Sequence, residues 1–173
     1  MRAWIGPIIV GLLVAVAACY VSVSAIPRGI MHIAINRIAA AGAGVNRMAQ
    51  MPLATDTARV VVRPSPDLAY SSCPFDLSER PLLVEVPVIP APYWSLSVFD
   101  GRTNTAFVRN NFQAQGGAMR VALIAEGQAA PAGIEAVRVP TRRGIALVRI
   151  LVPDRAAFAP IDQARQGATC RSL

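Results

Sequence analysis

The side chains able to do acid–base work in this chain are few. Asp67 and Tyr70 stand together in Ser65-Pro66-Asp67-Leu68-Ala69-Tyr70, and Asp76 follows. Asp100, Thr103 and Asn104 come shortly after Tyr93-Trp94. Two carboxylates act as general acid and general base when their surroundings push their pKa values apart, and a phenol beside them can carry a proton. Asp67, Tyr70 and Asp100 would then convert a glycan or a small molecule. The competing reading is local. Asp and Asn side chains bond their own backbone in turns, Asp67 follows Pro66, and Asp100 precedes Gly101. Nothing in the spacing brings the three together, so no residue is assigned a catalytic role.

Other chemistries have less to work with. His32 is the only histidine, the three cysteines form no CxxC, and no GxSxG, HExxH, phosphate-binding loop or dinucleotide fingerprint occurs. Gly116-Gly117 is a turn signal, not a phosphate cradle. The sequence implies no metal and no cofactor. Cys19 lies in an apolar run, whereas Cys73 and Cys170 lie 97 positions apart in the polar remainder. In an oxidising compartment they could bridge, closing a loop worth roughly 4 to 5 kcal/mol. The alternative is two unpaired thiols.

Net charge is +7, and every one of the 17 basic residues is arginine. They are scattered, with only Arg142-Arg143 adjacent. Nucleic-acid binders cluster their charge and interleave aromatics with it, so no nucleic-acid partner is expected. Attraction to anionic lipid headgroups fits better.

The elements that must position these residues begin with a run from Ala3 to Pro27 that carries no charged side chain. As a helix it is long enough to cross the ~30 Å hydrocarbon core. It predicts a transmembrane anchor over 1–28. Two alternatives stay open: a signal cleaved after Ser22-Val23-Ser24-Ala25, and a lipoprotein signal with lipidation at Cys19 in Val16-Ala17-Ala18-Cys19. An amphipathic helix follows, with Ile30, Ala34, Ile38, Ala41 and Val45 at helical spacing, and Met51–Thr57 reads as a linker, so that helix and linker occupy 29–57.

A β-rich domain over 58–173 completes the chain. Short β-branched and aromatic runs appear at Arg59–Arg63, Leu68–Phe75, Leu82–Val86, Tyr93–Phe99, Ala106–Arg109, Arg120–Ala125, Ile134–Val139 and Gly144–Leu151. Strands at this spacing predict an antiparallel sandwich or barrel-like domain. Gly144–Leu151 is mostly apolar on both faces, with Arg149 on one of them, and is expected at the centre of a sheet. A short helix is expected from Pro160 through Gln166.

The order of segments Val60-Val61-Val62-Arg63-Pro64-Ser65-Pro66-Asp67-Leu68-Ala69-Tyr70-Ser71, Phe75-Asp76-Leu77, Pro81-Leu82-Leu83-Val84-Glu85-Val86-Pro87, Tyr93-Trp94-Ser95-Leu96 and Phe99-Asp100 with Thr103-Asn104 resembles the domain-of-unknown-function 1254 family. Arg138-Val139-Pro140-Thr141 and Val148-Arg149-Ile150-Leu151-Val152 extend the resemblance. Where that family has Asn-Asn-Asp-Thr-Leu-Tyr, only Asp67 and Tyr70 match. The resemblance implies a bacterial, exported, β-rich protein, here anchored in the inner membrane with its domain in the periplasm. Many members carry a 1214-family domain after this one; the chain ends at Leu173 without it, so the resemblance implies a separately encoded 1214-family partner. The function expected is a non-catalytic binding or assembly module of the cell envelope, with Tyr93 and Trp94 at the interaction surface. The alternatives are an envelope enzyme using Asp67, Tyr70 and Asp100, and a structural subunit of a membrane complex.

Overall fold

The computed structural model describes residues 2–42, 44–55 and 64–173. The run expected as a strand at Arg59–Arg63, the end of the expected linker and the boundary at residue 58 lie outside the described residues. The segments expected as anchor and amphipathic helix form one element, α1 (Ile5–Ala41), which continues through Pro27. A proline inside a helix removes one backbone hydrogen bond and tends to kink it, but here the helix is not broken. It is long and apolar enough to cross a membrane, and its apolar part is buried against nothing in the protein.

The lower part of α1 packs on the protein through a face that shares only Ala34 and Ile38 with the one expected. Met31, Ile35 and Ile38 are buried, with Ala34 partly so, while Ile30 stays exposed and Val45 lies beyond the helix end. Positions 31, 35 and 38 lie on one side of a helix. They meet Ile145, Phe99, Leu147 and Met51.

The strands are β1 (Ala49–Gln50), β2 (Leu68–Asp76), β3 (Leu82–Val86), β4 (Trp94–Asp100), β5 (Thr105–Asn110), β6 (Met119–Ile124), β7 (Glu135–Arg138), β8 (Arg143–Leu151) and β9 (Thr169–Ser172). Helix α2 (Phe158–Arg165) precedes β9. The domain is mainly β, with one sheet ordered β1-β2-β8-β4-β5 and a second ordered β7-β6-β3-β9. The first is antiparallel throughout, whereas β6 and β7 pair parallel, so the second sheet is mixed. The sheets do not close into a barrel. Strand β8 lies between β2 and β4, where its two apolar faces suit burial on both sides.

Alternation divides each strand between faces. Ala69, Cys73 and Phe75 of β2, Ala146, Val148 and Ile150 of β8, and Trp94, Leu96 and Val98 of β4 point inward. They meet Leu82, Val84 and Val86 of β3 and Met119, Val121 and Leu123 of β6 in one core. Ile145 and Leu147 lie on the outer face of β8, under α1. The two sheets are also joined covalently: Cys73 of β2 is disulfide-bonded to Cys170 of β9, Cα to Cα 6.4 Å. Gly144 lies between Phe75 and Asp100 in the register. A Cβ there would fall 2.5 Å from the Phe75 ring and closer still to the Phe99 carbonyl, so the close crossing of these strands requires glycine.

At one margin the sheet edges are clasped. Arg109 of β5 donates both terminal nitrogens to the Glu135 carboxylate of β7, each at 2.6 Å. That hydrogen-bonded guanidinium holds the Glu135 carboxyl below its ordinary value, and the carboxylate raises Arg109. The pair is largely solvated, so it contributes only about 0.5 kcal/mol.

Candidate functional site

Strand β4 delivers Asp100 to its end in the inward row, where it is 1% exposed. Its Oδ1 accepts the backbone N–H groups of Arg102 and Asn104 at 2.8 Å each, and its Oδ2 accepts Asn104 Nδ2 at 3.1 Å. Thr103, at φ 69°, completes the turn. A carboxylate holding three N–H donors braces a hairpin and offers few lone pairs to a substrate. The tip is fastened further: the Gly101 N–H donates to Thr141 Oγ1 at 2.6 Å, and the Thr141 hydroxyl donates to the Arg143 carbonyl at 2.8 Å.

Asp67 and Tyr70 are elsewhere. The Asp67 carbonyl accepts the Val152 N–H at 2.9 Å. The Tyr70 hydroxyl accepts the Ser65 N–H at 3.0 Å, closing the loop that enters β2. Tyr70 stands opposite Arg149, and Asp100 stands opposite Gly144. Those positions are five residues apart along β8, roughly 17 Å at about 3.4 Å per residue. The two side chains also take opposite faces, Tyr70 outward and Asp100 inward. General acid and base must both reach one substrate, so Asp67, Tyr70 and Asp100 do not form an active site. Asp76 accepts the Ser78 N–H and hydroxyl and lies 3.6 Å from Arg143.

The aromatic pair divides. Trp94, expected at an interaction surface, is 1% exposed and belongs to the core. Its position opposite Ile150 sends the indole inward with the other alternate residues of β4. Tyr93, one residue earlier, faces outward, with its ring 6.3 Å from that of Phe112. Phe112 is 68% exposed, and Val108 on the edge strand β5 is exposed too. The domain's large apolar side chains exposed among the described residues are Val45, Val88, Tyr93, Val108, Phe112 and Leu173. Three of them belong to the β4–β5 hairpin and its flanks.

Several residues drew no attention in the sequence. Arg165, the last residue of α2, is 2% exposed. It donates to the Tyr70 carbonyl at 2.7 Å, to the Met51 carbonyl at 2.8 Å and to Asp162, and its guanidinium lies over the Phe158 ring. It ties α2, β2 and the chain leaving α1 into one unit. Arg149 reaches Ser97 Oγ at 3.3 Å, but no base stands beside that hydroxyl among the described residues. A cleft of about 280 Å³ opens between α1 and the two loops at the Asp100 end, lined by Arg28, His32, Ile35, Gly101, Arg102, Thr141 and Arg143. No signal marked Arg102 or Arg143 in advance, because their neighbourhood is set by strand pairing. Among the described residues no three His, Cys, Asp or Glu gather as metal ligands, and Cys19 is a free, exposed thiol on α1.

The profile of the family described as "Protein of unknown function (DUF1254)" matches residues 45–172. Two solved structures are similar in fold. The VPA0106 protein from Vibrio parahaemolyticus has 17% identity and a TM-score of 0.62, over 85% of this chain and 37% of its own. An uncharacterised protein from Burkholderia cenocepacia has 19% identity and a TM-score of 0.54, over 91% of this chain and 42% of its own. The chain thus spans about two fifths of the length of these structures. No curated protein matches it.

Proposed function

Since the chain belongs to the DUF1254 family, whose description names no activity, we propose a role drawn from its own surfaces: a membrane-anchored, non-catalytic binding module of the cell envelope that captures a partner protein. The observation that carries this reading is the exposed Tyr93–Phe112 pair at the end of the β4–β5 hairpin, whose edge strand also exposes Val108. Aromatic side chains dominate protein interfaces, because they bury much area with few rotatable bonds. Strand β5 ends its sheet, and edge strands are where a partner chain can pair. A separately encoded protein of the 1214 family is the partner proposed.

The anchor is α1, and the domain lies in the periplasm. The Cys73–Cys170 bond supports that side, because disulfides persist in oxidising compartments and are reduced in the cytosol. The acid–base alternative has lost its support, with Tyr70 and Asp100 on opposite faces of the sheet.

Affinity purification of the full chain from native membranes in mild detergent tests the reading. The wild type is expected to bring down one protein in fixed proportion. The double variant Tyr93→Ser, Phe112→Ser is expected to lose it by at least tenfold with an unchanged circular dichroism spectrum, as truncating two aromatic anchors costs about 2 kcal/mol or more. Equal recovery by both forms, or no partner for the wild type, contradicts it.

A further inference from the structure

The cleft between α1 and the hairpin tip has a composition that asks for an anion. Three of its seven lining residues are arginines, a fourth is His32, and none is acidic. Like charges gathered in a concave site raise the local potential and concentrate counter-ions there. The acids nearby are committed. Asp100 is filled by its own turn, and Asp76 accepts from Ser78 while lying 3.6 Å from Arg143.

The arginines keep donors to spare. Arg28 gives one Nη to the Ser24 carbonyl, which leaves most of its five N–H groups unused. Arg102 is exposed and its guanidinium makes no hydrogen bond or ion pair among the described residues. Arg143 is positioned from α1: its Nη2 donates to Asn36 Oδ1 at 3.3 Å, and Asn36 Nδ2 reaches His32 Nε2 at 3.0 Å. Arginine can only donate, so Asn36 must present its oxygen there and its amide to the imidazole. Arg143 Nε faces the Asp76 carboxylate at 3.6 Å, too long for a hydrogen bond, so the donors left to an anion are at its terminal nitrogens. The floor is stiff, because Gly101 and Thr141 are cross-bonded and a Cβ at Gly101 would meet the Arg143 carbonyl at 3.0 Å.

Depth identifies the anion. The uncharged part of α1 runs from Ile5 to Ile26, about 33 Å of helix at about 1.5 Å per residue. That matches a hydrocarbon core of about 30 Å. Arg28 follows within one turn, at the level of the lipid phosphates, and Arg28, His32 and Ile35 share one side of the helix. We propose that Arg28, Arg102 and Arg143 bind the phosphate of an anionic phospholipid headgroup in this cleft, seating the domain against the bilayer. The proposal rests on the reading of α1 as a retained anchor.

The test is native mass spectrometry of the full chain in mild detergent, titrated with phosphatidylglycerol, phosphatidylcholine or inorganic phosphate. The intact mass read in the same spectrum shows whether α1 is still present, so loss of the anchor is told apart from loss of the lipid site. The wild type is expected to retain phosphatidylglycerol over phosphatidylcholine. Arg28→Gln with Arg102→Gln, both exposed side chains, is expected to weaken phosphatidylglycerol binding roughly 30-fold, at about fivefold per arginine near a lipid surface. The control Arg120→Gln with Arg155→Gln, which removes the same charge elsewhere, is expected to change it less than threefold. Equal weakening by both pairs overturns the site. Inorganic phosphate binding as tightly as phosphatidylglycerol overturns the lipid as its source.

Discussion

Replacing Cys73 and Cys170 with alanine is expected to lower the stability of the domain by about 4.7 kcal/mol, the chain-entropy value for a closed loop of about 100 residues. The bond joins β2 of one sheet to β9 of the other. Without it, the last strand is held mainly by its pairing with β3, from Leu82–Ser172 to Glu85–Thr169, and by the Asn46–Ser172 hydrogen bond. Both sulfurs lie in the core, so the reduced protein also leaves two thiols packed among apolar side chains. Denaturant unfolding of the wild type, with and without reductant, beside the double alanine variant measures the effect. Wild type under reductant is expected to unfold close to the variant's midpoint. Three coincident curves would show that the bridge contributes nothing.

The second large effect is at Trp94. Its indole is enclosed by both sheets, and truncating a buried tryptophan to alanine costs about 4 kcal/mol through lost transfer energy and the cavity left behind. Trp94→Ala is therefore expected to shift the unfolding midpoint strongly, with partner capture lost only as far as folding is lost. Tyr93→Ser is expected to do the reverse, sparing stability and weakening capture. A Trp94→Ala domain as stable as the wild type would mean that the indole is not core.

Much of the sheet was legible. Leu82–Val86 is apolar but for Glu85 and set between Pro81 and Pro87, and it forms a strand over those same residues. The two-faced apolar pattern of Gly144–Leu151 marked a strand with neighbours on both sides, which β8 has. The short elements were not legible. β1 has two residues and β9 four, mostly polar, and such segments become strands only because a partner edge is waiting for them. The parallel pairing of β7 was hidden for the same reason, since direction is a property of the connection.

The packing face of α1 was also beyond the sequence. Its residues from Ile30 onward are apolar on several sides, with Ile30 and Ile33 still exposed, so helical periodicity alone offered more than one stripe. The sheet face of Phe99, Ile145 and Leu147 selects the one carrying Met31, Ile35 and Ile38. The site residues divide similarly. Asp100 beside Gly101 announced a turn, and it braces one. Arg165 is one arginine among 17, and only the fold places two carbonyls and Asp162 around it.

The account stands on α1 remaining in the bilayer as the tether of a periplasmic domain. Alkaline carbonate extraction of native membranes, with the mass of the extracted and retained protein determined, tests it most directly. The account predicts the chain in the membrane pellet with residues 2–26 still attached and the Cys73–Cys170 bond formed. Recovery in the supernatant of a protein beginning after Ala25, or a membrane-bound form with both thiols free in living cells, would contradict it.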